Sequence, residues 1–388
     1  MWYTLNMNEL IFPQPNFDSR LASMIVGLEH QRYRNVRGST PPWLFFDLKE
    51  IMHRLESLTS ARIEGNRTTL LSVVENVISG AQPTADENLL ELRNIEEAIE
   101  LIEKNVTEDF KFDRAFISEL HRITTSNLVR EGSKTPGQYR QFDVKIKGAK
   151  HTPPAHILVN ELMDELLISV NEQSDSQQHL LRVSVVHHRM AAIHPFDNGN
   201  GRTVRLLTYA MLTKYGFIDK KGFRLLNPSA VFCIDRQKYY DMLECADNGG
   251  ESGLLDWCEF MITGLKTELE KVDMLLDRKF AEPNIMIPAL NLALEKKQIS
   301  PLEYDILRIA MKKNIFQAKD VRSLFGPTES NRIRMSRTLK RMREQKLIEI
   351  HPDYKLKYYI KFANNYLLRG VVEQMANHNL LPVMVDEA

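Results

Sequence analysis

The segment His194–Arg205, HPFDNGNGRTVR, constrains the fold of this 388-residue chain more than any other. A long apolar run ends near Ile193, and Pro195 helps to end it, because proline has no backbone N–H and a fixed φ. Gly199-Asn200-Gly201 follows, and its small residues let backbone N–H groups converge on one point. A new helix opens at once, so its unpaired N–H groups and positive dipole end face the same point. Arg202 and Arg205 lie one turn apart on that helix and can reach one anion, each with a fork of donors suited to phosphate oxygens. His194, at the loop entrance, is placed to take a proton from an incoming hydroxyl. An anion cradle beside a base is the layout of a phosphoryl- or nucleotidyl-transfer site.

Most of the remaining chain reads as helix. Leu48, Ile51, Leu55 and Leu58 recur at three- and four-residue steps within Phe45–Glu64, the mark of one helix face. Helices also fit Thr69–Ser79, Glu87–Lys104, Asp113–Leu128, Ile157–Val170, Leu180–Ile193, Arg202–Leu212, Gln237–Ala246 and Leu254–Leu276, punctuated by Pro41-Pro42 and Gln82–Asp86. Between Gly132 and Pro154 the composition shifts to Gly, Pro and Lys, and the alternation at Val144 and Ile146 predicts a hairpin-like β element. Two prolines within Ala281–Ala289 suggest a boundary. Beyond it come helices at Pro301–Lys312, Ala318–Leu324 and Ser330–Gln345, then two strands about a turn at Pro352-Asp353. This order resembles a winged helix-turn-helix.

Charge separates the two parts. The whole chain balances 51 basic against 51 acidic side chains, which argues against whole-molecule attraction to nucleic acid or membrane. Residues 301–362, however, hold 15 Lys+Arg against 7 Asp+Glu, a local excess of +8. Cys233, Cys245 and Cys258 have no close thiol pair and no metal-knuckle spacing, so reduced thiols and a cytoplasmic setting are expected. The start, MWYTLNMNEL, lacks a basic, apolar signal, and no run approaches the ~20 apolar residues of a membrane span.

At His194–Arg205 the sequence resembles the Fic family, whose motif is H-P-F-x-[D/E]-G-N-G-R-x-x-R; eleven of the twelve positions fit. The resemblance implies that His194 is the general base and that Gly199, Asn200 and Gly201 bind nucleotide phosphates with Arg202 and Arg205. It also implies a metal ion at the acidic position, held here by Asn198, with Asp197 one place early. Asn offers Mg²⁺ a neutral carbonyl instead of the carboxylate a hard cation prefers. Family members altered near this position use other phosphate-containing donors.

Two further segments extend the resemblance over roughly residues 45–275. Ser60-Ala-Arg-Ile-Glu64-Gly65 is similar to the family's inhibitory motif, [S/T]-x-x-x-E-[G/N]: Ser60 and Glu64 share a helix face, and Gly65 suits a helix end. The resemblance implies that Glu64 pairs with Arg205 and occupies the space of a γ-phosphate. Val144–Ile146, followed by His151-Thr-Pro-Pro, looks like the flap that pins a target chain by strand addition. Tyr239-Tyr240 resembles a position near the nucleotide base, although the expected downstream Asn falls on Asp247, with Asn248 one place late.

The expected fold is mainly α: a Fic-type helical core with a small β-hairpin flap, plus a C-terminal winged helix-turn-helix domain. The expected division is 1–110 (helical region with inhibitory helix), 111–280 (catalytic core) and 281–388 (basic domain and tail). The implied function is an autoinhibited protein adenylyltransferase that moves AMP from ATP, with Mg²⁺ or Mn²⁺, to a Ser, Thr or Tyr hydroxyl of a target protein or of itself. Two rivals stand beside it: a transferase using another phosphate-containing donor, and a nucleotide-sensing regulator that binds DNA through residues 301–362. A homodimer and the absence of a membrane partner complete the expectations.

Each sharp reading has a plainer competitor. His194 could cap a helix, Gly199 and Gly201 could form a bare turn, and Glu64 could be an exposed carboxylate. His187 and His188 suggest metal ligands, but His187 and His194 lie two turns apart, too far for one compact site. Arg332, Arg334, Arg337, Lys340, Arg341 and Arg343 could be the solvated face of a helix packed through Ile333, Leu339 and Met342.

Overall fold

A computed structural model of the chain describes residues 10, 12–33, 41–80, 86–219 and 224–382. Of the amino-terminal stretch read for a signal, only Leu10 lies among the described residues, and of Gln82–Asp86 only Asp86. The structure is mainly helical. In the first half run α1 (Arg20–Tyr33), α2 (Pro42–Ile63), α3 (Leu70–Ser79), α4 (Glu87–Asn105), α5 (Arg114–Thr125), α6 (Val159–Asn171), α7 (His179–Ile193) and α8 (Asn200–Lys214). There follow α9 (Pro228–Cys233), α10 (Arg236–Asn248), α11 (Gly250–Leu276), α12 (Arg278–Ala281), α13 (Ile287–Glu295), α14 (Pro301–Lys313), α15 (Ala318–Val321) and α16 (Glu329–Glu344). Strands β1 (Ile348–His351) and β2 (Tyr354–Ile360) pair antiparallel, and α17 (Leu367–Asn377) ends the described fold.

Local chemistry sets the helix starts. Pro42 occupies the first position of α2, where its missing N–H costs nothing. Thr69, Asp86 and Asp113 accept from the first-turn N–H groups of α3, α4 and α5, and Ser300 with Glu303 forms a capping box on α14. Two expectations need correction. Pro283 and Pro288 do not interrupt the helical path: Glu282–Met286 is one π turn between α12 and α13, and Ala281, Ile285, Met286 and Ala289 are buried. A π turn accommodates the N–H that proline lacks, so the helical path continues. The stretch at Val144–Ile146 is not a hairpin. It forms no strand and has no ladder partner among the described residues, and its nearest closure is a bond from Ala149 N to Ile146 O at 3.3 Å.

Two hydrophobic cores form. The first packs α1, α4–α8 and α9–α11 around Trp257, Phe232 and Met211. The second joins α13–α17 and β1–β2 to the end of α11. Helix α2 belongs to both: Trp43, Leu44, Phe45, Leu48, Ile51, Met52 and Leu55 pack in the second core, and Leu58, Ala61 and Ile63 in the first. The core that includes residues 285–381 therefore draws on residues 43–55, which the sequence-based division places with the amino-terminal region. Polar contacts reinforce this seam. Asp47, 1% exposed, accepts from Lys361 Nζ at 2.8 Å and from Phe362 N at 2.7 Å. Glu50 accepts from Lys361 at 3.0 Å and from Asn364, and Arg54 donates to Asn364 Oδ1 at 2.7 Å.

Candidate functional site

The loop between α7 and α8 is built by its own side chains. His194 caps α7 with φ 50°, a left-handed conformation, and its N–H still reaches Met190 O at 3.1 Å. Asn200 closes the loop twice: Oδ1 accepts from Phe196 N, and Nδ2 donates to Phe196 O, both at 2.9 Å. The Asn200 side chain is thus spent on loop shape, which leaves its backbone for an anion. Gly199 has φ 75°, and a Cβ there would lie 2.6 Å from Thr125 Cγ2, so only glycine fits.

His121 on α5 supports the loop from below. Its ring stacks on Phe196 at 3.7 Å between centroids and 7° between planes. Nδ1 accepts from Gly137 N at 2.8 Å, so Nε2 carries the proton that bonds Asn198 O at 2.9 Å. Burial pushes its pKa down to about 4, which keeps the ring neutral. Arg140, 1% exposed, ties the loop to residues 142–154: Nε donates to His194 O at 2.9 Å, Nη1 to Phe142 O at 3.0 Å and Nη2 to Pro154 O at 2.6 Å. Its own N–H donates to Pro195 O at 2.9 Å. Sequence reasoning missed both residues. His121 had the weak signal of a histidine on the apolar stripe of α5; Arg140 had none.

His194 itself is half-buried. Nδ1 lies 3.3 Å from Ala191 O, a carbonyl that can only accept, so Nδ1 carries the proton and Nε2 holds a free lone pair. Burial lowers its pKa to about 4, although the Ala191 bond and Glu64 act in the opposite direction. A neutral imidazole with one open nitrogen can accept a proton from a hydroxyl.

The arginines take separate partners. Arg205, 1% exposed, donates to Ser60 Oγ and Ser60 O at 2.9 Å each and to Glu64 Oε1 at 2.8 Å. Arg202, equally buried, lies 2.9 Å from Glu91 Oε1 and donates to Glu131 O at 2.5 Å. The two guanidiniums therefore do not share one anion here, because α4 supplies a second carboxylate that the sequence did not single out. Asn66, just past Gly65, donates to Glu91 Oε2 at 2.7 Å and links the two pairs. Gly65 turns the chain out of α2 with φ 100°.

Glu64 lies against the glycine loop: a Cβ on Gly201 would overlap its Oε1. Burial pushes the Glu64 carboxyl up, but Arg205 and Arg202 outweigh it and hold the group below its ordinary value. An anion therefore sits where the loop N–H groups and both arginines concentrate positive potential.

The remaining predicted residues lie around this centre. Tyr239 is buried, its hydroxyl 3.0 Å from His187 Nε2, while His187 Nδ1 meets Thr208 Oγ1 at 2.8 Å. His187 is thus a core histidine, turned to Thr208 and Tyr239. Tyr240 is 39% exposed, with Arg236 5.5 Å over its ring, so only the second tyrosine offers a free face. Val144 and Ile146 are half-buried in the loop stretch. That stretch is fastened to α10, where Lys150 meets Glu244 at 2.7 Å and His151 lies 3.5 Å from Asp247. Asp247 also accepts from His188 at 2.9 Å.

The residues at 197–198 do not fit a protein-held Mg²⁺. Asn198 Oδ1 accepts from Gly199 N at 2.7 Å, and its Nδ2 donates to Gly132 O at 3.1 Å. Asp197 accepts from Ser133 Oγ at 2.5 Å, Lys134 N at 2.9 Å and Asn198 N at 2.9 Å. Every side-chain oxygen of the pair is already engaged, and none supplies the free carboxylate a hard cation favours. Among the described residues, no group of three or more His, Cys, Asp or Glu side chains could hold a metal ion. Nor is any helix among them long and apolar enough to cross a membrane.

Comparison with known proteins agrees with this layout. Residues 111–212 match the model of the Fic/DOC family. The chain is 29% identical over 195 residues to the protein adenylyltransferase Fic of Drosophila virilis, covering 49% of this chain and 37% of that protein. The protein adenylyltransferase Fic of Drosophila grimshawi is 30% identical over 195 residues, with the same coverage. The chain thus spans little more than a third of the length of these curated relatives. A Fic family protein from Desulfovibrio desulfuricans shares the fold with a TM-score of 0.55 at 19% identity, over 90% of this chain and 98% of that one. A Fic domain containing signaling protein from Bacteroides thetaiotaomicron gives a TM-score of 0.51 at 18% identity, over 65% of this chain and 96% of that one. Residues 111–212 of the chain are thus similar to the Fic/DOC family.

Proposed function

We propose that this protein is an autoinhibited protein adenylyltransferase that moves AMP from ATP to a side-chain hydroxyl of a target protein. One observation carries the reading: the Glu64 carboxylate binds Arg205 and covers Gly201, beside a neutral His194. A carboxylate there competes with a donor phosphate for the same charges. When Glu64 moves, the loop N–H groups of Gly199, Asn200 and Gly201 and the freed Arg205 are available to phosphate oxygens, with Arg202 close by.

The chemistry then follows from the residues. A Ser, Thr or Tyr hydroxyl, held along the unpaired Val144–Ile146 stretch by backbone bonds, approaches His194. Nε2 takes its proton while the oxygen bonds to the α-phosphorus; the bond to the bridging oxygen breaks and pyrophosphate leaves. His194 afterwards gives the proton to water. Donors fixed in advance around the phosphates supply most of the rate.

The test uses α-labelled ATP with Mg²⁺ or Mn²⁺ and compares wild type, Glu64→Gly and His194→Ala. Label on protein, its own chain included, should rise in Glu64→Gly and vanish in His194→Ala. Equal label in all three sinks the reading. A second reading rests on Asn198, where the family motif has a carboxylate: the donor is another phosphate-containing compound. No label from ATP, with strong label from another donor, selects it.

A further inference from the structure

We propose that the exposed face of α16, together with the tip of the β1–β2 hairpin, is a docking surface for duplex DNA. The inference stands apart from the transfer chemistry. Residues 301–362 carry an excess of +8 in a chain whose total is zero, so the rest of the chain carries −8. Such a division places a positive field on one module of a neutral molecule, which attracts a polyanion locally without holding the whole surface to it.

The fold aims that charge outward. Met335, Thr338, Leu339 and Met342 turn inward, whereas Ile333, expected in the core of this module, is 48% exposed. Around it on the open side stand Arg334, Arg337, Lys340 and Arg343. Arg341 is held by Glu303 at 2.9 Å and Arg332 lies 3.5 Å from Glu329. No carboxylate partner is found for Arg334, Arg337 or Arg343 among the described residues. Arg334 and Arg337 beside an exposed isoleucine, with Arg343 farther along the same helix, are what phosphates and a thymine methyl would meet.

The surroundings suit a duplex. A groove of about 900 Å³ runs between α16 and the start of α14, lined by Arg334, Arg337, Ile333, Ser330 and Ser300–Leu302. The order α14, a single bridge at Phe316, α15, α16 and hairpin closes into a small winged-helix unit, because Phe316 pairs with Tyr358 at 2.9 and 2.8 Å. That pairing sets β2 beside α14 and carries the hairpin tip outward, where Lys355 is exposed and Leu356 is 78% exposed. A helix of 16 residues is about 24 Å long and fits the wide major groove of B-form DNA, while the hairpin reaches the neighbouring backbone. The deep, narrow major groove of A-form RNA does not admit it.

Fluorescence anisotropy of a labelled 24-base-pair DNA duplex with the full chain, at a series of salt concentrations, tests the proposal. Log affinity should fall linearly with log salt, and Arg334→Ala/Arg337→Ala should flatten the slope by about 2, since each phosphate contact contributes about 0.9. Lys355→Ala, on the hairpin, should flatten it by about 1. The charge-matched control Arg122→Ala/Lys266→Ala, on exposed helices outside the module, should leave it unchanged. Absence of binding at 50 mM salt overturns the proposal, as does equal loss in the control. Binding of polyglutamate in preference to the duplex overturns it too, and assigns the surface to an acidic protein.

Discussion

The Arg205 guanidinium and the Glu64 carboxylate meet at 2.8 Å although 141 residues of chain separate them. Arg205 is 1% exposed, whereas 28% of the Glu64 side chain is open to solvent. The asymmetry decides what happens when the pair breaks. Glu64 can swing into water, but Arg205 cannot follow and needs another anion. A donor phosphate is such an anion.

Charge and volume at Glu64 can be separated. Glu64→Gly removes both and should tighten ATP binding at least tenfold, about 1.4 kcal/mol. Glu64→Gln keeps the volume and an acceptor for Arg205, so its gain should be smaller. Titration calorimetry with ATP reads both, and wild-type affinity in each variant removes the inhibitory role.

His194 should stay a competent base well into acid. Burial lowers its pKa to about 4, so the rate of Glu64→Gly should begin to fall below about pH 5 and not near the 6.5 of an ordinary histidine. An acid limb centred near 6.5 contradicts the half-buried, neutral ring.

The same burial has a stability consequence through His121. Its folded pKa, about 4, lies below the 6.5 of an ordinary histidine, so between these values the unfolded chain binds more protons. The stability is present above pH 6.5 and is lost as pH falls through 4. His121→Gln should lower the melting temperature at pH 7, because Gly137 N and Asn198 O lose their partners, at about 1–3 kcal/mol. It should also narrow the drop between pH 7 and pH 5. Scanning calorimetry at the two pH values measures both effects.

Asn198→Asp places a carboxylate at the motif's acidic position. In the Glu64→Gly background it should lower the Mg²⁺ concentration needed for half-maximal label transfer. It also removes the donor to Gly132 O, so a loss of about 1 kcal/mol in stability is expected. An unchanged Mg²⁺ titration would show that position 198 does not govern metal use.

Lys361→Met strips Asp47 of its counter-charge in a site 1% exposed. Cutting one partner of a buried pair costs about 3–5 kcal/mol. Burial already pushes the Asp47 carboxyl up to about 7, above the 3.8 of an ordinary aspartate. Lys361 holds that value down, so without it the carboxyl binds a proton more tightly still; the proton relieves the buried charge, and the relief weakens as pH rises. Urea midpoints should show a larger deficit at pH 8 than at pH 5, with partial recovery in Asp47→Asn/Lys361→Met.

Much of this was legible in the sequence because it is local. Helical periodicity located α2, α4 and α7 to within a few residues, and the Pro and Gly of HPFDNGNGR announced the turn between α7 and α8. What escaped depends on partners distant in sequence. Glu91 looks like any helix carboxylate until Arg202 lands beside it 111 positions later, and Arg140 is one cation in a polar loop until four backbone groups converge on it. The prolines of 281–289 misled for a different reason: a π turn, which has no sequence signature of its own, carries the helix through them.

Helix α2 works as a common beam under both halves of the molecule, and this limits how the proposed inhibition by Glu64 can be relieved. Swinging the whole helix away would expose seven side chains of the second core, from Trp43 to Leu55, together with the buried Asp47. Fraying only the final turn, hinged at Gly65, exposes Ala61 and Ile63 and releases Ser60 from Arg205, but it leaves the second core intact and still carries Glu64 out. The proposed release of Glu64 therefore has a less costly path at the Gly65 end of the beam than at the Trp43 end. Ending the chain ahead of residue 285 would strip Trp43–Leu55 of their second-core partners and leave that end of the beam unsupported.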